Sequence, residues 1–115
     1  MKLYLNKASP YARLALAVAH EKGLAEKLEL VWVDPWASAP EFLVVAPLAR
    51  VPVLVTDSGE TIPDSAAICD YLVAVGLGYA DFRMAHVAWR ASCPQLAAWQ
   101  DRMNERTSLR ASAPE

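Results

Sequence analysis

A serine followed by a proline stands where an apolar stretch gives way to a helix-like pattern, in KASPYARLAL (residues 7–16). A serine that begins a helix places its hydroxyl beside unpaired backbone N–H groups, at the positive end of the helix dipole. Such a position stabilises anions, and a thiolate is an anion. A free thiol with a pKa near ~8.5 is only about 3% ionised at pH 7, so a hydroxyl donor would raise the reactive fraction. Ser9 can equally be a plain helix cap, and its spacing alone does not separate the two roles.

A second group of polar residues and a proline lies near the middle of the chain. Pro52 follows Val51 at the start of an apolar run, where a missing ladder donor is tolerated. A cis bond there would turn the Val51 backbone toward a ligand, but only about 5% of X–Pro bonds are cis, so the residues alone do not predict one. Asp64 and Ser65 open a helix; ordinary capping explains both, and a site for the charged end of a ligand would use the same helix start. Arg50 can pair with a ligand carboxylate or lie in solvent.

Metal and disulfide chemistry find no support in the sequence. His20 and His86 have no acidic or cysteine partners at useful spacing, so no metal site is expected. Cys69 and Cys93 lack CxxC spacing, and no disulfide is expected between them. Both cysteines are predicted to be buried as small apolar residues.

Composition excludes several classes of protein. The chain has 115 residues, of which 55% are hydrophobic and 21% charged, so it is globular rather than disordered. A formal net charge of −2 gives no electrostatic case for nucleic acid. No apolar run appears long enough to span a membrane, and the N-terminus has no continuous apolar signal core, so a cytoplasmic location is expected.

The order of predicted elements is strand, helix, strand, then two strands and a helix. The pattern predicts strands over residues 2–5, 28–33, 51–56 and 60–62. It predicts helices over residues 10–22, over residues 40–45, and from Asp64 or Ser65 with apolar positions at helical spacing as far as Val75. Later residues are helical in character and end in a loose tail over 107–115. This order indicates a small mixed sheet with helices on its faces.

Three stretches in order, KASPYARLAL, PLARVPVL and IPDSAAICDYL, resemble the N-terminal thioredoxin-like domain of bacterial glutathione S-transferases. Order and spacing agree over residues 1 to about 74. The end of the chain, GLGYADFR … WRASCPQLAAWQDRMNERTSLRASAP, resembles the closing helices of the family's helical second domain. The resemblance implies an α/β fold, with a thioredoxin-like βαβ-ββα domain over residues 1–75 and a truncated helical segment over residues 76–115.

The resemblance also implies roles for the candidate residues. Ser9 matches the catalytic serine or cysteine, whose hydroxyl would donate to the glutathione thiolate. Val51 and Pro52 match the pair at the family's cis-proline, where the backbone before the proline meets the cysteinyl part of glutathione. Asp64 and Ser65 match the acid–serine pair that holds the γ-glutamyl end.

Two further matches refine the expected chemistry. Arg50 stands where a lysine is common, near the glycyl carboxylate of glutathione. SPYA occupies the place of the Cys-Pro-Tyr-Cys motif of glutaredoxins. Because Ser9 and Ala12 fill both cysteine positions, dithiol redox chemistry is excluded.

One departure from the family affects the expected function, because the long helical stretch before GLGYADFR is absent. That stretch supplies much of the family's electrophile pocket and subunit interface. The first expectation is still a glutathione transferase that uses glutathione as co-substrate and no metal, and conjugates it to small electrophiles. A glutathione-binding or interaction module without catalysis is the alternative, and a poorly functional, internally deleted product is a third. The expected partners are glutathione and the electrophile, without nucleic acid or membrane. The sequence leaves the choice between a monomer and a homodimer open, because the usual dimer surface is incomplete.

Overall fold

The computed structural model describes residues 1–111 and residue 113, and it contains a four-stranded mixed sheet with six α-helices in the described part. The strands are β1 (Lys2–Leu5), β2 (Glu29–Trp32), β3 (Val53–Val55) and β4 (Thr61–Pro63). The helices are α1 (Pro10–Glu21), α2 (Pro40–Val45), α3 (Ser65–Arg83), α4 (Trp89–Ser92), α5 (Pro94–Met103) and α6 (Thr107–Ala111). Short 3₁₀ turns cover Ala25–Lys27 and Pro35–Ala37.

The strands lie in the order β2-β1-β3-β4. β1 runs parallel to β2 and antiparallel to β3, and β3 runs antiparallel to β4. Leu5 pairs with Trp32, and Val53 pairs with both Tyr4 and Pro63. The ends of β1, β2 and β4 therefore meet the start of β3 at one edge of the sheet, which we call the upper edge.

Alternation along the strands divides the core between two faces. Leu3 and Leu54 belong to a buried cluster that includes Ile68 and Leu72 of α3. Their neighbours Tyr4 and Val53 belong to a second cluster around Phe42 of α2. On α1 the buried positions are all alanine, which lets α1 lie close against α3. The predicted βαβ-ββα arrangement of an α/β, thioredoxin-like domain is confirmed.

Helix α3 extends beyond the apolar positions that predicted it. It continues through Gly76 and Gly78 to Arg83. Both glycines face side chains of other elements: an added Cβ would lie 3.5 Å from Lys22 at Gly76, and 3.9 Å from the amide nitrogen of Gln100 at Gly78. Both are ordinary van der Waals distances, so neither position requires glycine; a glycine inside a helix costs only about 1 kcal/mol relative to alanine. The domain boundary at residue 75 stays a prediction.

By length and composition alone, α3 could cross a membrane, so the expectation that no segment reaches that length is wrong here. A core helix of a soluble protein passes the same test. In this helix 22% of the apolar window is buried, and Ile68, Tyr71 and Leu72 lie in the main core cluster.

The C-terminal part returns to the sheet domain instead of forming a loose tail. Residues 107–111 form α6, where Ser108 and Leu109 are buried and Leu109 joins the main core cluster. Trp99 and Met103 pack partly against the same cluster. The prediction of a loose tail is therefore wrong for residues 107–111, because one apolar residue docks there; residues 112, 114 and 115 lie outside the described part.

Candidate functional site

The upper edge brings three of the candidate segments together. Ser9 follows the end of β1, Val51 and Pro52 precede β3, and Asp64 directly follows β4. Because β1, β3 and β4 are adjacent and neighbouring strands lie about 4.8 Å apart, the strand ends next to these segments lie within roughly 10 Å of one another along the edge. The helices α1 and α3 both start there, so both present the positive ends of their dipoles.

Ser9 caps α1 in an extended conformation, with φ −83° and ψ 115°. Its Oγ accepts a hydrogen bond from the backbone N–H of Ala12 at 3.1 Å, and Pro10 occupies the first helical turn. A serine hydroxyl has one donor and two acceptor positions, so capping leaves the hydroxyl proton available to a ligand. Capping and anion binding, which the sequence presents as alternatives, are compatible at this residue.

A tight turn over residues 6–9 fixes the position of Ser9. The backbone N–H of Ser9 donates to the carbonyl of Asn6 at 3.2 Å, and the N–H of Ala8 donates to Asn6 Oδ1 at 2.9 Å. Asn6 Nδ2 in turn donates to the carbonyl of Val33 at 2.9 Å, just beyond β2. Sequence reasoning did not assign Asn6, although an asparagine at the start of a turn is a recognisable signal.

The Val51–Pro52 peptide bond is cis, which the resemblance implies and the base rate does not. Pro52 is buried, whereas Val51 is half-buried and packs against the Phe42 cluster. Val51 lies before β3 begins, and within the described part of the chain no main-chain hydrogen bond reaches it. Its N–H and C=O therefore have no main-chain partner among the described residues.

Asp64 begins α3 with an unusual backbone. Its φ is 78°, a region that residues other than glycine rarely adopt. The carboxylate holds the helix start, with Oδ1 accepting from the N–H of Ala66 at 2.9 Å and of Ala67 at 3.4 Å. Asp64 is exposed and Ser65 half-buried, so polar atoms of both residues are reachable at the upper edge.

Arg50 lies beside a second residue in a strained conformation. Ala49 has φ 49°, and Arg50, which follows it, is exposed. Among the residues that the structure describes, Arg50 takes part in no ion pair. Its place before β3 is consistent with a ligand contact, but its role stays a prediction.

The two cysteines do not provide an alternative nucleophile at this edge. Burial, and after it the charges of Asp70 and Asp64, raise the pKa of the Cys69 thiol, which keeps the thiol protonated near neutral pH. Cys69 is half-buried and Cys93 is exposed, so the prediction that both are buried is wrong. Cys93 is exposed because it stands at the junction of α4 and α5.

Other concave surfaces of the molecule lie away from these residues. One depression lies at the opposite edge, around Met1, Lys27 and Asp57, and another between the β3–β4 turn and α6. Neither is lined by Ser9 or Asp64. Within residues 1–111, no three histidine, cysteine or acidic side chains are grouped so that they could hold a metal ion.

The fold defines a thioredoxin-like domain, and comparisons with known proteins agree with this fold class. Residues 8–75 match the N-terminal domain of glutathione S-transferases. The chain therefore belongs to the glutathione S-transferase family. The comparison with curated proteins gives no match.

Solved structures of glutathione S-transferases are also similar to this chain. A glutathione S-transferase domain-containing protein from Marinobacter aquaeolei VT8 is 33% identical, with a TM-score of 0.57, over 63% of this chain and 37% of that one. A glutathione S-transferase from Rhodospirillum rubrum F11 is 33% identical, with a TM-score of 0.56, over 93% of this chain and 48% of that one. A family member from Pseudomonas fluorescens Pf-5, solved with bound glutathione, shares the fold at 20% identity and a TM-score of 0.54, over 99% and 98% of the two chains. The chain spans less than half the length of the first two structures.

Proposed function

We propose that this chain binds glutathione along the upper edge and presents its thiolate to small electrophilic compounds. The observation that carries the proposal is the meeting of Ser9, Val51 and Asp64 at one edge, each on a separate segment. Family membership supports it, as does the bound glutathione in the Pseudomonas fluorescens structure.

Ser9 supplies the chemical step with a charge-assisted hydrogen bond. Its hydroxyl donates to the glutathione sulfur while its Oγ still caps α1. A hydrogen bond to a charged group contributes about 1.5–3 kcal/mol, and one pKa unit corresponds to ~1.4 kcal/mol, so the thiol pKa falls by roughly one to two units. The thiolate then attacks the electrophile directly, and no covalent bond to the enzyme forms.

The other candidate residues hold the peptide. The γ-glutamyl end carries an ammonium and a carboxylate. At the start of α3, the ammonium pairs with the Asp64 carboxylate, and the ligand carboxylate accepts a hydrogen bond from the Ser65 hydroxyl. The open main chain of Val51, before Pro52, pairs with the cysteinyl residue. Arg50 is placed to meet the glycyl carboxylate.

The test compares Ser9→Ala with Ser9→Thr, which keeps both the cap and the hydroxyl. We expect Ser9→Ala to raise the pKa of bound glutathione, followed by thiolate absorbance, and to slow conjugation of an aryl halide by about 10- to 100-fold. Ser9→Thr should keep the pKa of bound glutathione and the rate of conjugation close to those of the parent. Equal pKa values and rates in the parent and Ser9→Ala would remove Ser9 from this role.

A second candidate function, glutathione binding without catalysis, follows from where the C-terminal part docks. Arg106 contacts Glu60, and Leu109 enters the core, so these contacts lie away from Ser9. Saturable glutathione binding without turnover of any electrophile in a broad panel would favour this function. Homodimer formation and cytoplasmic location stay predictions.

A further inference from the structure

We propose that Lys7, whose ammonium lies over the ring of Trp32, receives the C-terminal carboxylate of the bound peptide. The inference rests on the proposed function, which sets the direction of glutathione along the upper edge. It adds a contact from the β1–α1 turn to the one expected from Arg50.

Strand order gives the place where that carboxylate arrives. The γ-glutamyl end is assigned to Asp64 after β4, and the cysteinyl residue to Val51 before β3. The next strands in the sheet are β1 and then β2. A strand spacing is about 4.8 Å and an extended residue spans about 3.4 Å, so the carboxylate after the glycyl residue comes near the end of β1.

Lys7 is held at this place. It lies within the turn of residues 6–9, which its hydrogen bonds tie to the chain beyond β2. Its Nζ lies 5.7 Å from the ring centroid of Trp32, the last residue of β2. Trp32 is 51% exposed and Lys7 is exposed, so the ammonium is accessible from solvent.

The charge of Lys7 has no acidic partner in the described part of the chain. Lys2, at the other end of β1, pairs with Glu29 at 3.4 Å, whereas Lys7, in the turn after β1, forms no such ion pair. The attraction of the Trp32 ring restricts where the ammonium lies without neutralising it. The cation is therefore positioned and still free to bind an anion.

The test measures the affinity of the full chain for glutathione and for its glycyl ethyl ester by calorimetry. We expect Lys7→Met to weaken glutathione binding about two- to fivefold, as for an exposed ion pair, and to leave the affinity for the ester unchanged. Lys2→Met, the matched control, should change neither affinity. Added salt should reduce the preference for the acid over the ester in the parent and have little effect in Lys7→Met.

Three results would overturn the assignment while leaving the proposed function intact. The first is that the parent binds glutathione and its glycyl ethyl ester with equal affinity. The second is that Lys7→Met prefers glutathione over the ester as strongly as the parent does. The third is that Arg50→Met loses this preference while Lys7→Met keeps it. Absence of binding of either compound to the folded parent would reject the proposed function and this inference together.

Discussion

The upper edge and the C-terminal part of the chain, which we call the tail (residues 84–111), are held in place by different interactions. At the upper edge, strand ladders and two capped helix starts fix the backbone. Much of the tail is held by side chains. Arg90 pairs with Asp81 at 2.6 Å and with Asp101 at 2.9 Å, and the amide of Gln100 donates to the carbonyl of Ala74 at 2.9 Å.

This difference indicates which region dominates stability. Partly exposed ion pairs contribute only about 0–1 kcal/mol each. Of the buried apolar residues in the described part of the chain, only Leu109 belongs to the tail. The sheet, in contrast, buries Leu3 and Leu54 completely. The candidate site is therefore built on the better-packed part of the molecule.

The largest change in the free energy of unfolding is expected from substitutions in the core of the sheet. Leu54→Ala should lower the free energy of unfolding by about 2–5 kcal/mol, because a fully buried leucine leaves a cavity. Leu109→Ala, in helix α6 of the tail, should lower the free energy of unfolding by less than Leu54→Ala does. The reason is that the short helix α6 can shift to fill the space. Urea unfolding of both variants measures the comparison, and an equal or larger loss for Leu109→Ala would reverse it.

A smaller change in the free energy of unfolding is expected from substitutions of Asp64, which has a positive φ at the start of α3. Asp64→Ala loses the cap and keeps the strain, so it should cost about 1–3 kcal/mol. Asp64→Gly should cost only a few tenths of a kcal/mol, because glycine adopts this φ without strain and caps helices acceptably. Thermal unfolding measures the pair of variants. Equal losses would indicate that the backbone at Asp64 is not strained.

The smallest expected effect concerns the contact between the tail and the β3–β4 hairpin. Hydrogen bonds from Ser108 and Arg106 lower the pKa of Glu60 from its ordinary value of 4.5. A lowered pKa in the folded state stabilises the fold above the unfolded pKa, and this contribution is lost as pH falls through the folded value. Unfolding free energy should therefore fall more steeply below about pH 5 in the parent than in Glu60→Gln. Parallel profiles would show that Glu60 does not help to hold the tail.

Local signals predict the elements that frame the site. Ser-Pro at the start of α1 and Asp-Ser at the start of α3 are helix-start patterns, and both caps are observed. The observed strands agree with the predicted ranges to within a few residues: β3 covers 53–55 rather than 51–56, because the Val51–Pro52 segment lies outside the ladder.

Features that depend on distant contacts could not be predicted from local patterns. Positive φ at Ala49 and Asp64 is imposed by the surrounding fold, since neither residue type requires it. α3 continues through Gly76 and Gly78, although glycine is a common signal for a helix end. The docking of Leu109 likewise depends on a core formed by residues far away in sequence.

The central proposal is that the upper edge binds glutathione, although the chain spans less than half the length of two of the three similar structures. The most direct test is a calorimetric titration of the parent and Asp64→Gly with glutathione. The account predicts saturable binding to the parent and clearly weaker binding to Asp64→Gly, which keeps the fold but lacks the carboxylate. Thermal unfolding of the parent at about a hundred times the dissociation constant should show stabilisation by about 2.7 kcal/mol. A folded parent that releases no heat and gains no stability with glutathione would contradict the account.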